Sequence, residues 1–244
     1  MSYPARLLLC RRKPAGFLGN GFSRPEWAFY HLGDSMTTLF VAPGACSFGA
    51  HVVLKELGIP HQIEIVKLRT PDSVINRINP LGRVPALQTD SGEIITENSA
   101  ILPYLADLKP EAGLIAPAGS VERAKIQEWV GFLNSEVHGT FRAVNRPELF
   151  HPDAAEHEKI KAHTLPRLLD YLQLIDGKLE GKTWLVGERF TIADAYLGVF
   201  WSWLSRRGFD LTAYPNLAAF GKHFDARPSV QAALEAENPL AQAA

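Results

Sequence analysis

Between Ala116 and Ser120 the chain breaks at Ala-Pro-Ala-Gly-Ser, and beyond that break β-strand signals nearly vanish. No other feature limits the fold as strongly, because any sheet must be built before the break and helices after it. From Met36 the upstream part alternates in kind. A strand over 37–42 meets Pro43-Gly44 and a helix from Cys46 to Leu57, closed by Gly58. Pro60 precedes a β-branched strand over 61–66. A polar stretch then reaches the Asn79-Pro80-Leu81-Gly82 turn, and short strands follow over 84–88 and 93–96. A helix over 97–107 contains Pro103, which predicts a bend. The order βαβ then ββα fits a small open sheet with helices on its faces.

After the break, apolar residues recur at helical spacing, at Ile126, Trp129, Val130 and Leu133 and again at Leu165, Leu168, Leu169, Leu172 and Ile175. Thr191, with Asp194 three residues on, predicts a capping box opening a helix over 193–205. The reading is an α/β domain over 36–116 and an all-helical domain over 117–244. With 244 residues, 46% of them hydrophobic, the chain can bury a sizeable core.

Residues 1–35 read differently. Arg6, Arg11, Arg12, Lys13 and Arg24 face only Glu26 and Asp34, a local net of +3, and no helical or strand period persists. This leader reads as a translated stretch upstream of a natural start at Met36, as a disordered tail, or as a basic targeting segment. Leu7-Leu8-Leu9-Cys10 is too short for a secretory apolar core. Over the whole chain 25 basic residues meet 26 acidic ones, so no cationic surplus points to nucleic acid or an anionic membrane. No apolar run approaches the roughly 18 residues needed to cross a bilayer. Two cysteines, Cys10 and Cys46, provide no disulfide framework and suit a reducing cytoplasm.

Cys46 falls where the first strand hands over to a helix N-terminus, whose free N–H groups and dipole favour an anion. The position predicts a thiol that ionises more readily than a free one. Cys46-Ser47-Phe48-Gly49 has no second cysteine, so any redox chemistry there is monothiol. His51 lies five residues on, about 140° round the helix, and is read as packing.

Four strings occur in order: Pro43-Gly44-Ala45-Cys46-Ser47, Asn79 to Leu87, Thr96-Glu97-Asn98-Ser99-Ala100-Ile101, and Phe190 to Tyr196. Together they resemble the cytosolic glutathione transferases, most closely the bacterial cysteine-bearing beta-like class, from Met36 to the C-terminus. The resemblance implies a thioredoxin-like N-terminal domain that binds glutathione as co-substrate, an all-α C-terminal domain and a homodimer, with no metal, nucleic acid or membrane partner. It implies that Val84-Pro85, with a cis bond, pairs with glutathione's cysteinyl part as a sheet edge would. Glu97 and Asn98, opening a helix, would hold the γ-glutamyl group, with Glu136 as a further glutathione contact. Cys46, Ser47 and His138 are the implied catalytic residues.

Departures are also visible. Gly131 and Gly139 stand where the family carries Asn and Lys, and Pro71 stands near an expected lysine, leaving Lys67, Arg69 and Arg77 as candidate substitutes. Phe200-Trp201-Ser202-Trp203 reads as core, with some rings lining a greasy cleft for apolar electrophiles. Three functions follow: conjugation of glutathione to small hydrophobic electrophiles, glutathione-dependent thiol–disulfide exchange through Cys46, or a non-catalytic binding module of the same fold.

Overall fold

The computed structural model describes residues 36–241, so the expected leader over 1–35 lies outside the described residues. Four short strands form one mixed sheet: β1 (Thr38–Val41), β2 (Gln62–Ile65), β3 (Ala86–Gln88) and β4 (Ile94–Thr96). They lie in the order β2-β1-β3-β4. β1 runs parallel to β2 and antiparallel to β3, which pairs antiparallel with β4. β1 is apolar on both faces because both are covered. Leu39 and Val41 enter the main core, while Phe40 packs with Val66, Ile75, Val84 and Ala86 on the other side.

The parallel β1–β2 pair requires a crossover, supplied by α1 (Ser47–Glu56). Every residue from Ser47 to Leu54 is buried, because α1 is packed against α3 (Asn98–Leu108), α7 (Ile192–Arg206) and α9 (Pro228–Ala241). A single helical turn, α2 (Ile75–Ile78), occupies the stretch read as polar loop; four residues are too few to carry a period. α3 continues through Pro103 and buries Ile101, Leu102, Leu105 and Ala106.

The expected boundary at 116–120 falls on the turn before α4 (Val121–Phe132), where the Ser120 hydroxyl accepts the Arg123 N–H at 3.1 Å. A π-helical turn, Leu133–Val137, joins α4 to α5 (His138–Asn145). α6 (His157–Leu179), α7, α8 (Pro215–Asp225) and α9 complete the helical layer. The capping box predicted at Thr191 and Asp194 is present at the start of α7. One apolar cluster runs from Leu39 and Leu87 in the sheet to Phe200 and Phe224 in the helices, so both layers share a core.

Candidate active site

A cleft of about 990 Å³ opens at the carboxyl end of β1, between the sheet layer and α5 and α7. Its floor is set by local sequence. Asn79 organises the turn ahead of the third strand: its amide donates to the Arg83 carbonyl at 2.8 Å, and its side-chain oxygen accepts the Leu81 N–H at 3.1 Å. Gly82 is held at φ +61°, and a Cβ there would lie 2.8 Å from the Asn76 side-chain oxygen, so glycine is required. The turn leads into Val84-Pro85, whose peptide bond is cis and whose residues are buried. Proline at that point confines β3 to 86–88 rather than the expected 84–88.

Cys46 is the N-cap of α1, half-buried, with its Sγ donating to the Val84 carbonyl at 3.1 Å. The expectation of a readily ionised thiol is overturned. Burial pushes the Cys46 thiol up to about 12, and Glu97 adds to the rise; a backbone hydrogen bond and Arg83 oppose it without prevailing. Here desolvation exceeds the pull of the helix terminus.

The Asn98 amide donates to the Cys46 carbonyl at 3.0 Å, tying the start of α3 to the thiol-bearing turn. Its own side-chain oxygen is buried without a partner among the described residues. Glu97 precedes it at φ +71°, a conformation that side chains with a Cβ rarely adopt. Both residues line the cleft.

His138, the first residue of α5, also lines it. Burial lowers its pKa to about 4, with Arg142 and Arg83 adding to the effect, so the ring is neutral at physiological pH. The Tyr196 hydroxyl donates to the Asn134 side-chain oxygen at 2.8 Å. That hydroxyl has one hydrogen, so the 3.1 Å contact between His138 Nδ1 and Tyr196 Oη is donated by the imidazole. Nε2 then keeps a lone pair, the protonation state a base requires.

Two expected site residues do not reach the cleft. Ser47 is fully buried, and its hydroxyl engages the backbone of Ala42 at 3.3 and 3.5 Å, closing the β1–α1 corner. Glu136 is exposed and accepts the Tyr171 hydroxyl at 2.7 Å, facing α6 instead. Both expectations were carried over from the family resemblance. Among the three candidate cations, Arg69 lines the cleft, while Lys67 and Arg77 do not.

The aromatic run was expected to give some rings to the cleft, and Trp203 is one of them; the arginines around it, Arg69 apart, were not read from the sequence. Trp203 is half-buried, lines the cleft and donates its indole N–H to the Gly44 carbonyl at 2.9 Å. Arg206 donates to the same carbonyl at 3.0 Å. Six arginines, Arg69, Arg83, Arg142, Arg146, Arg206 and Arg207, line the cleft, against one carboxylate, Glu97. The greasy cleft expected from the aromatic run is therefore apolar at Phe141 and Trp203 and cationic around them. A signal was present in the i,i+4 spacing of His138 and Arg142, which places both on one helix face. No cluster of three or more metal-ligating side chains occurs among the described residues, and no helix there is long and apolar enough to cross a membrane.

Comparison with known proteins agrees with this arrangement. Residues 44–108 match the model of the glutathione S-transferase N-terminal domain, and residues 135–228 match that of the C-terminal domain. The chain is 38% identical over 204 residues to glutathione S-transferase GstA of Escherichia coli O157:H7, covering 82% of this chain and 98% of that protein. A beta-class glutathione S-transferase structure from Sphingomonas chungbukensis is 38% identical, with a TM-score of 0.74 over 82% of this chain and 98% of that one. A sphingomonad glutathione S-transferase complexed with glutathione matches over the same shares at 37% identity and a TM-score of 0.74. The chain belongs to the glutathione S-transferase family, with its structural likeness to the bacterial beta class, and is a transferase of that kind.

Proposed function

We propose that the cleft binds glutathione along Val84, Pro85, Glu97 and Asn98 and transfers its sulfur to a small electrophilic carbon. One observation carries the reading: a single cavity gathers the Cys46 thiol, the backbone at a cis proline, the strained start of α3 and a neutral His138. The Val84 backbone offers the edge on which glutathione's cysteinyl part can pair. The N-terminus of α3 suits the γ-glutamyl carboxylate, and the Glu97 carboxylate suits its ammonium. Glutathione's thiol then lies near Cys46 and His138. The neutral imidazole of His138 accepts a hydrogen bond from the thiol, the thiol proton leaves to solvent, the sulfur forms a bond to carbon, and the leaving group departs with its electron pair. The family resemblance adds a homodimer working in the cytoplasm.

The raised Cys46 pKa favours conjugation over exchange, because a neutral thiol bonded to Val84 is a poor nucleophile. Steady-state conjugation of glutathione to 1-chloro-2,4-dinitrobenzene tests the reading. Turnover retained in part by Cys46→Ser is expected. No turnover above a heat-killed control, together with no glutathione binding at millimolar concentration, would leave a non-catalytic module.

A further inference from the structure

We propose that the second substrate of this cleft is an aromatic electrophile carrying a carboxylate or equivalent anionic group, bound through Arg142 with its ring on Trp203. This rests on the transferase reading above and names the substrate class of the same site.

Charge count comes first. Six guanidinium groups and one carboxylate line the cavity. Glutathione brings two carboxylates and one ammonium. Its ammonium is matched by Glu97, and its two carboxylates leave most of the arginine surplus unneutralised. A neutral second substrate would leave those charges facing one another in a partly desolvated space.

Position comes second. Arg142 follows His138 by one helical turn on α5, so it shares the face that presents the imidazole to the cleft. It is half-buried and has no ion-pair partner among the described residues, whereas Arg146 pairs with Glu148 at 3.3 Å. Arg83 faces it from the sheet layer; burial and that like charge disfavour the Arg142 cation, and the Glu97 carboxylate opposes them without prevailing. A half-buried guanidinium held in this way gains most from a carboxylate, which accepts two of its N–H groups in parallel. Arg206 and Arg207, exposed at the end of α7, extend the positive rim.

The ring has its own place. Phe141, beside Arg142 in sequence, and Trp203 pack edge to face at 5.5 Å between centroids, and both line the cavity. An aryl group set against Trp203, which the buried Phe141 backs, lies next to His138, whose ring is 5.4 Å from that of Trp203. In the reaction, glutathione's sulfur attacks a ring carbon bearing halide, a C–S bond forms, the C–halide bond breaks, and halide leaves with the bonding pair. The thiol proton leaves to solvent, with His138 as the thiol's hydrogen-bond acceptor.

Two probes of matched shape separate charge from shape: 4-chloro-3,5-dinitrobenzoate and its methyl ester, both assayed for conjugation at low and high salt. The unreactive pair 3,5-dinitrobenzoate and its methyl ester is titrated by quenching of tryptophan fluorescence. The acid is expected to bind the full-length protein about tenfold more tightly than the ester at low ionic strength, and to show a similar advantage in kcat/KM once each is divided by the probe's uncatalysed rate with glutathione. Added salt should shrink the advantage. Arg142→Gln should remove most of it, and Arg142→Lys should restore part. Equal binding of acid and ester to the wild type overturns the proposal, whatever Arg142→Gln does. Preferential binding of the acid without any conjugation upholds the anion subsite and refutes the transferase reading instead.

Discussion

The Cys46 thiol gives its hydrogen to the Val84 carbonyl at 3.1 Å, so the nucleophile candidate and the backbone edge expected to hold glutathione are bonded to each other. In this state the thiol is neutral and pushed up to about 12. An acid group whose folded pKa lies above its unfolded value resists ionisation throughout the physiological range. Alkylation of ligand-free protein by iodoacetamide at pH 7 should therefore run about 100-fold slower than that of a free cysteine. The rate should climb with pH with no plateau below pH 10. Peptide mapping reads the label at Cys46; a plateau with a midpoint below pH 8.5 would refute the assignment.

His138 titrates in the opposite sense. Its folded pKa, about 4, lies below the unfolded value of 6.5, so the unfolded chain binds more protons between the two. The contribution of its neutral ring is complete above pH 6.5 and is lost as pH falls towards 4. Between pH 7 and 4.5 the wild type should lose more unfolding free energy than His138→Phe, as measured by urea denaturation. Equal losses would contradict the buried neutral ring.

Tyr196 acts through His138. Its hydroxyl passes its hydrogen to Asn134 and accepts one from the imidazole, fixing the tautomer. Tyr196→Phe should lower kcat for conjugation about tenfold, with the KM for glutathione little changed, because the imidazole is freed to adopt the tautomer that no longer accepts the thiol's hydrogen bond. The pH dependence of kcat should shift with it. A rise in KM alone would point to packing, not positioning.

Outside the cleft lining, His51 Nδ1 and Glu237 Oε1 meet at 2.8 Å, both buried, and dock α9 onto α1. Replacing Glu237 with Ala leaves the buried imidazole without its hydrogen-bond partner and should cost about 1–3 kcal/mol of stability. Pairing that change with His51→Phe should cost less than the two single changes summed. Additive losses in denaturant melts would refute the coupling.

Gly131 lies exposed within α4, with nothing within 4 Å of the Cβ an alanine would add. Gly131→Ala should raise stability by about 0.5–1 kcal/mol, since helix-interior glycine loses the most backbone entropy. A lower melting temperature would show that this position is constrained by more than helix propensity.

What the sequence made legible was local. The Thr191–Asp194 capping box, the Asn79-to-Leu87 turn and the alternation of strand and helix signals each depend on residues a few positions apart. The burial of His51 was readable from its angle on α1, but not its partner, which stands 186 residues away. Arg142, Tyr196 and Asn134 converge only because the π-helical turn at 133–137 and the packing of α7 bring them together, and neither has a sequence period. Ser47 and Glu136 were carried over from the resemblance, and a residue one or two positions along a helix from Cys46 or His138 points about 100–160° away from it, off the cleft. The thiol pKa was misjudged because the helix terminus was visible in the sequence and the desolvating cover was not.

A crystal structure of the protein grown with glutathione tests the central claim most directly. The account predicts the cysteinyl backbone paired with Val84, the γ-glutamyl group at Glu97 and Asn98, and glutathione's sulfur within about 4 Å of Cys46 Sγ. Glutathione bound at millimolar concentration outside this cleft, or lying in it with its sulfur turned away from both Cys46 and His138, would contradict it.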